Sequence, residues 1–147
     1  NQRTTGGSAF YRVYDTSDGR QLVLAGQGMK FIRNLLTALG KPEFIDLCEW
    51  AGAHQKPVMD FLAATFRDKP LAHWMKWLDT LDICYGPVNT LPEAIADPNL
   101  VKRGAVVVAD DGRKHLAPVV RFKDEPSRPL SREALLGEHT QEILKRG

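Results

Sequence analysis

The sequence predicts an α+β fold, a small antiparallel sheet carrying short packed helices. Three observations predict it. "AFYRVY" (9–14) alternates Phe10, Arg12 and Tyr14 against Tyr11 and Val13, a period of two in aromatic and β-branched residues that reads as a strand. "RQLVLAG" (20–26) reads as its return strand, because "DTSDG" (15–19) between them is turn chemistry with Gly19 available for positive φ. "MKFIRNLLTALG" (29–40) then switches period: Ile32, Leu35, Leu36 and Leu39 follow the i, i+3, i+4, i+7 spacing of a helix.

Gly40 suits the position after a helix, and Pro42 prevents continuation. A short helix is expected over 43–50. "KPVMDFLAATFRDKP" opens with Pro57 in a first turn and carries the apolar stripe Val58, Phe61, Leu62, Thr65 and Phe66. "KPLAHWMKWLDTLD" repeats the pattern from Pro70, with Leu71, Trp74, Leu78 and Leu81 on one face. Two such helices in succession predict an αα-hairpin packed on the sheet. "ICYGPVN" (83–89) reads as a short buried strand broken by Gly86-Pro87. "TLPE" (90–93) is a capping box opening a helix to Ala96. Asp97-Pro98 opens the next helix, which Gly104 ends after Lys102 and Arg103. "AVVVAD" (105–110) and "LAPVVRF" (116–122) are expected as strands joined by "DGRK". "KDEPSRPLSRE" (123–133) reads as an extended crossing segment, and a helix is expected after Thr140 with Lys145 and Arg146 in its last turn.

The 147 residues suit one domain able to bury roughly 70% of its unfolded surface. Hydrophobic residues make 43% and charged residues 26%, the balance of a soluble globular protein. A net charge of +2, with its lysines scattered, argues against a nucleic-acid or anionic-membrane partner. Apolar runs stay short of the ~20 residues needed to span a bilayer, and no signal peptide is expected. The two cysteines, Cys48 and Cys84, read as buried reduced thiols in a cytoplasmic protein rather than a disulfide framework. The chain opens on Asn1-Gln2-Arg3 without an initiator methionine and reads as a piece of a longer protein.

The chemistry-bearing residues form no self-contained constellation. His54, His73, His115 and His139 show no i, i+4 pair and none lies close to a cysteine in sequence, so no metal site is expected. They read as one helix histidine, His73, and three loop or edge histidines. "GQG" (26–28) follows a strand and precedes a helix, but position 31 is Phe where a dinucleotide fingerprint needs a third glycine. It reads as a glycine-rich strand-to-helix turn. Asp15 and Asp18 sit in a hairpin turn, where Asp does local structural work. Trp74 and Trp77 read as core and rim, not as a base-stacking platform.

The order of five segments resembles the class III CoA-transferase family, which also holds α-methylacyl-CoA racemase and carnitine CoA-transferase. The segments are "GGSAFYRVYDTSDGR" (6–20), "LAGQGMKF" (24–31), "LGKPEF" (39–44), "GPVNTLPEAIADPNLVKRG" (86–104) and "LLGEHTQEIL" (135–144). The resemblance covers nearly the whole chain. It implies a fragment of a larger two-domain α/β enzyme. Residues 1–104 would be the small α+β domain, and 105–147 a C-terminal hairpin and tail returning toward an absent large domain. It further implies an interlocked homodimer acting on acyl-CoA and carboxylate small molecules, with the coenzyme A thioester as substrate and no other cofactor.

In the transferases, an Asp of the large domain attacks the acyl-CoA thioester. A mixed anhydride and an aspartyl-CoA thioester follow, splitting one hard exchange into easier acyl transfers that must be kept from water. That Asp belongs upstream, so no catalytic residue is assigned within this chain and the fragment alone is expected to be inactive. A glycine-rich loop before the first small-domain strand covers the active site in these enzymes. Gly6 and Gly7 match its end, as a lid, a hinge or a plain lead-in to the strand. The racemases carry an acid/base Glu within a G-A-x-E-P-x-F stretch. Aligned without gaps on Gly19 and Phe31, that position is Gly28 here, which favours CoA transfer over α-proton exchange. The alternatives are a 2-methylacyl-CoA racemase-like enzyme and a non-catalytic interaction domain.

Overall fold

A computed structural model describes residues 6–109, 111–120, 122–124 and 134–145. The chain divides into two compact units, Asn1–Val88 and Asn89–Gly147. The first is built on a three-stranded antiparallel sheet in the order β1 (Arg12–Asp15), β2 (Gln21–Leu24), β3 (Tyr85–Pro87). Register runs Arg12↔Leu24 to Asp15↔Gln21 on one side of β2 and Leu22↔Pro87 to Leu24↔Tyr85 on the other. Gly19 takes φ 72° in the hairpin turn. The first strand is shorter than the alternation predicts. Ala9 and Phe10 lie in the turn before it and are buried there.

One face of the sheet is covered. Tyr14, Leu22 and Leu24 pack with Ile32, Leu35 and Leu36 of α1 (Met29–Ala38), Val58, Leu62 and Phe66 of α2 (Lys56–Arg67), and Leu71, Trp74 and Leu78 of α3 (Leu71–Leu78). These are the apolar positions that helical spacing picks out. Burying each such side chain contributes roughly 1.5–3 kcal/mol. Phe66 sits at the centre. Its ring meets Tyr14 at 5.3 Å and Trp74 edge-on at 5.1 Å, while the Trp74 indole N–H donates to the Phe66 carbonyl at 2.8 Å. Helix α2 packs on β1 and α3 on β3. Asp18 in the hairpin turn accepts from the Leu71 N–H, capping α3 from across the fold.

Three expectations for this unit are corrected. Residues 43–50 form no α-helix; single 3-10 turns occupy Pro42–Phe44 and Asp46–Cys48. Apolar pairs three apart (Phe44 with Leu47, Ile45 with Cys48) suit i→i+3 bonding, seen in Ile45 N–H to Pro42 O and Cys48 N–H to Ile45 O. The strand near residue 86 is a half-buried edge that contains Gly86-Pro87 instead of breaking there. Cys84, which leads into that edge, is exposed; only Cys48 is buried, and both are free thiols.

The second unit is held by local structure. Helix α4 (Leu91–Ala96) has the capping box, with the Thr90 N–H donating to Glu93 at 2.7 Å. Helix α5 (Pro98–Lys102) is capped by Asp97, which accepts from the Asn99 and Leu100 N–H groups at 2.9 and 3.1 Å. Strands β4 (Val106–Val108) and β5 (Lys114–Leu116) pair antiparallel, Val107 facing His115. The second strand therefore starts two residues before the expected 116–122. Gly112, at φ 80°, closes the turn on Ala109, and Pro118, lacking an N–H, bars extension beyond Ala117. Helix α6 covers Thr140–Lys145. Most of the extended segment expected over 123–133 lies outside the described residues, as does Arg146. Among the described residues, no helix is long and apolar enough to cross a membrane.

Candidate functional site

The glycine pair leads into the sheet through a tightly held stretch. Gly6 takes φ 86°, a left-handed conformation that strains any residue with a Cβ. The Gly7 carbonyl accepts from the Gly52 N–H at 2.8 Å, and the Ala9 N–H donates to Gln55 Oε1 at 2.7 Å. Gln55 is buried and uses its other end to donate to the Trp50 carbonyl at 2.8 Å. The Tyr14 hydroxyl donates to the Ala9 carbonyl at 2.7 Å. Burial pushes the Tyr14 phenol well above its ordinary range, so it remains a donor there. Gly6 thus holds a backbone conformation that favours glycine, while Gly7 and Ala9 are pinned by partners from the 50–55 segment and β1.

A cleft of about 490 Å³ lies beside this junction. Ser8 and Gln55 line it from the pinned stretch, Gln27 and Gly28 from the turn before α1, and Cys48, Glu49 and Trp50 from the segment before α2. The GQG turn is a strand-to-helix connection: β2 ends at Leu24, and Gly28 precedes α1 with its carbonyl accepting from the Phe31 and Ile32 N–H groups. Gly26 is closely approached: a Cβ there would lie 3.2 Å from the Cβ atoms of both Cys84 and Phe31, so a neighbour would have to give by a few tenths of an ångström. The structure therefore brings Ser8, next to the glycine pair, and Gly28 to one cleft. Gly6 itself lines a separate, mostly apolar groove of about 390 Å³ with Tyr11, Arg12, Val13 and Val23.

Glu49 escaped the sequence reading. It lines the same cleft as Gly28 from a different segment, and no spacing rule connects the two. Cys48 also lines it, with its thiol pushed up to about 11 by burial, which keeps it protonated near neutral pH and weak as a nucleophile. Asp15 and Asp18 are structural. Asp15 ends β1 and pairs with Arg67 at 2.9 Å; Asp18 accepts from the Thr16 hydroxyl and caps α3. His73 is exposed on α3 beside Trp74, His54 lies in a 3-10 turn, and His115 sits in β5. No three His, Cys, Asp or Glu side chains cluster in metal-ligating fashion among the described residues. The cleft is a partly open surface lined by both polar and apolar groups.

The family model described as CoA-transferase family III matches residues 1–140. Human alpha-methylacyl-CoA racemase is 27% identical over 146 residues, 95% of this chain and 37% of the racemase. Mouse succinyl-CoA:glutarate CoA-transferase is 28% identical over 144 residues, 92% of this chain and 33% of the relative. The chain thus spans about a third of the length of these curated relatives. A solved CaiB/BaiF family protein from Brucella suis superposes with a TM-score of 0.64 at 24% identity, over 99% of this chain and 39% of the other. A hypothetical protein from Mycobacterium tuberculosis reaches a TM-score of 0.71 at 14% identity, over 95% of this chain and 39% of the other. With the α+β fold shared and nearly the whole of this chain matched by the family model, the chain belongs to CoA-transferase family III.

Proposed function

We propose that this chain is the small-domain part of a cytoplasmic, homodimeric CoA-transferase that moves CoA between an acyl-CoA donor and a carboxylic acid acceptor. The nucleophilic Asp would lie on residues outside this chain, which would be inactive alone. Residues 105–147 would return toward the large domain that holds it. The observation that carries the transfer reading is Gly28. It lines the cleft beside the pinned glycine junction at the position aligned with the racemases' acid/base Glu, so the carboxylate that lines this cleft, Glu49, comes from a different segment. Gly6 and Gly7 would then form the edge of a cover that keeps water from the acyl anhydride. Coenzyme A enters as substrate, and no further cofactor is needed for acyl exchange at a carboxylate.

The experiment is an assay of the full-length protein with a panel of acyl-CoA donors and carboxylate acceptors. CoA exchange with at least one pair supports the reading. Absence of exchange with every pair, together with α-proton exchange in deuterated water, overturns it. The racemase-like alternative has one observation in its favour, the Glu49 carboxylate lining the cleft. On that alternative, Glu49→Gln would abolish α-proton exchange. The cover role predicts that Gly6→Ala with Gly7→Ala raises hydrolysis of the acyl donor relative to transfer. An unchanged ratio leaves the pair as a hinge.

A further inference from the structure

A second cleft, of about 310 Å³, opens between β1 and α2 and carries three cations and two carboxylates. Both carboxylates are taken. Asp15 pairs with Arg67 at 2.9 Å and Lys56 with Asp60 at 2.6 Å. The Gln21 amide, then Arg67, hold the Asp15 carboxyl below the usual carboxylate range, so it stays ionised on those partners. Arg12 is the third cation and has no carboxylate partner among the described residues. Its Nη1 meets Met59 Sδ at 3.0 Å and the Gly6 carbonyl at 3.4 Å. A thioether is a weak acceptor, and 3.4 Å is long for a hydrogen bond. The guanidinium fork, with five N–H donors in a plane, thus has most of its capacity left over. Arg12 lines a concave surface whose charged side chains sum to positive, and it lines the groove beside Gly6 as well.

We propose that Arg12 is an oxyanion-binding residue: its guanidinium takes a carboxylate or phosphate group of a ligand entering the β1–α2 cleft. Planar donors match the paired oxygens of such groups. The cleft volume is at the lower end for ligand pockets, enough for an anionic end group and too small for a whole CoA. This proposal rests on the transfer reading for its choice of ligand. In that chemistry the oxyanion comes either from the distal carboxylate of a dicarboxylic acid or from a phosphate of CoA.

The test is calorimetric binding to the full-length protein of two probes, glutarate and adenosine 3′,5′-bisphosphate, with transfer activity measured separately. The variants are Arg12→Gln, Arg12→Lys and, as a control paired elsewhere with Glu43, Lys41→Gln. The expected result is that one probe binds. Its affinity should fall about 10- to 100-fold in Arg12→Gln, less in Arg12→Lys, and not in Lys41→Gln. The probe affected names the source of the oxyanion. No binding of either probe, or equal binding by wild type and an Arg12→Gln protein of unchanged melting temperature, overturns the site. Probe binding lost at Arg12→Gln in a protein without CoA exchange keeps the oxyanion site and refutes only the transfer reading.

Discussion

The two units of this chain are stabilised in different ways. The first places aromatic and aliphatic side chains from three helices and a sheet in one buried cluster. In the second, Ala109 is the buried hydrophobic among the described residues, while Val101, Val108, Leu116, Val119 and Val120 are all more than half exposed. Its elements are instead defined by caps and turns, at Thr90 with Glu93, at Asp97 and at Gly112. Side-chain burial is worth several kcal/mol per large residue and a cap about one, so the first unit should dominate resistance to unfolding. Both units contain sheet and helix in similar proportion; what separates them is whether the apolar faces are covered.

The strongest way to break this comparison is Phe66→Ala. Loss of the ring between Tyr14 and Trp74 should destabilise the protein by about 3–5 kcal/mol, read from urea unfolding followed by Trp fluorescence. Leu116→Ala, an equally apolar deletion on the second unit's exposed strand, should stay within about 0.5 kcal/mol. Comparable losses from both would mean that Leu116 is covered by something in solution.

A smaller effect is expected at the second unit's own strength. Asp97→Ala should cost about 1 kcal/mol and lower hydrogen-exchange protection of the Asn99 and Leu100 amides, leaving that of Val23 in β2 unchanged. A parallel loss at Val23 would show that the two units open together.

The smallest is electrostatic. The Thr16 hydroxyl, followed by the Leu71 and Arg20 N–H groups, holds the Asp18 carboxyl below its ordinary value. A depressed folded pKa adds stability above the unfolded value, about 3.9, and that stability is lost as pH falls through the folded one. Asp18→Asn should therefore shrink the drop in melting temperature between about pH 6 and pH 3. An unchanged drop would assign acid sensitivity to other carboxylates, of which Asp15 and Glu43 are also held low.

What the sequence revealed follows the same divide between local and distant. Gly19, Gly40, the Thr90 capping box and the Asp97-Pro98 start were legible because each depends on a few adjacent residues. The faces of α1, α2 and α3 were legible because a periodic stripe survives any packing that buries it. The 42–48 segment was misjudged because apolar residues three and four apart serve a 3-10 turn as well as an α-helix. Cys84 reads as a core residue by type, yet its place ahead of an edge strand exposes it. The pinned junction was illegible for a plain reason: Gln55 reaches Ala9 across 46 residues, and Arg67 reaches Asp15 across 52. Glu49 and Arg12 gain their interest only from clefts that tertiary packing creates.

Pro87 bears on how copies of this molecule avoid one another. It sits in the three-residue edge strand β3 opposite Leu22, while Val88, one residue on, donates its N–H to Gln21 on β2. Backbone groups alternate along a strand, so the N–H that proline lacks is one that would have pointed outward, away from the sheet. A foreign strand approaching that side would find neither the donor nor the length needed to add on. The sheet is closed there against edge-to-edge aggregation by the same dipeptide that first looked like a break in the strand.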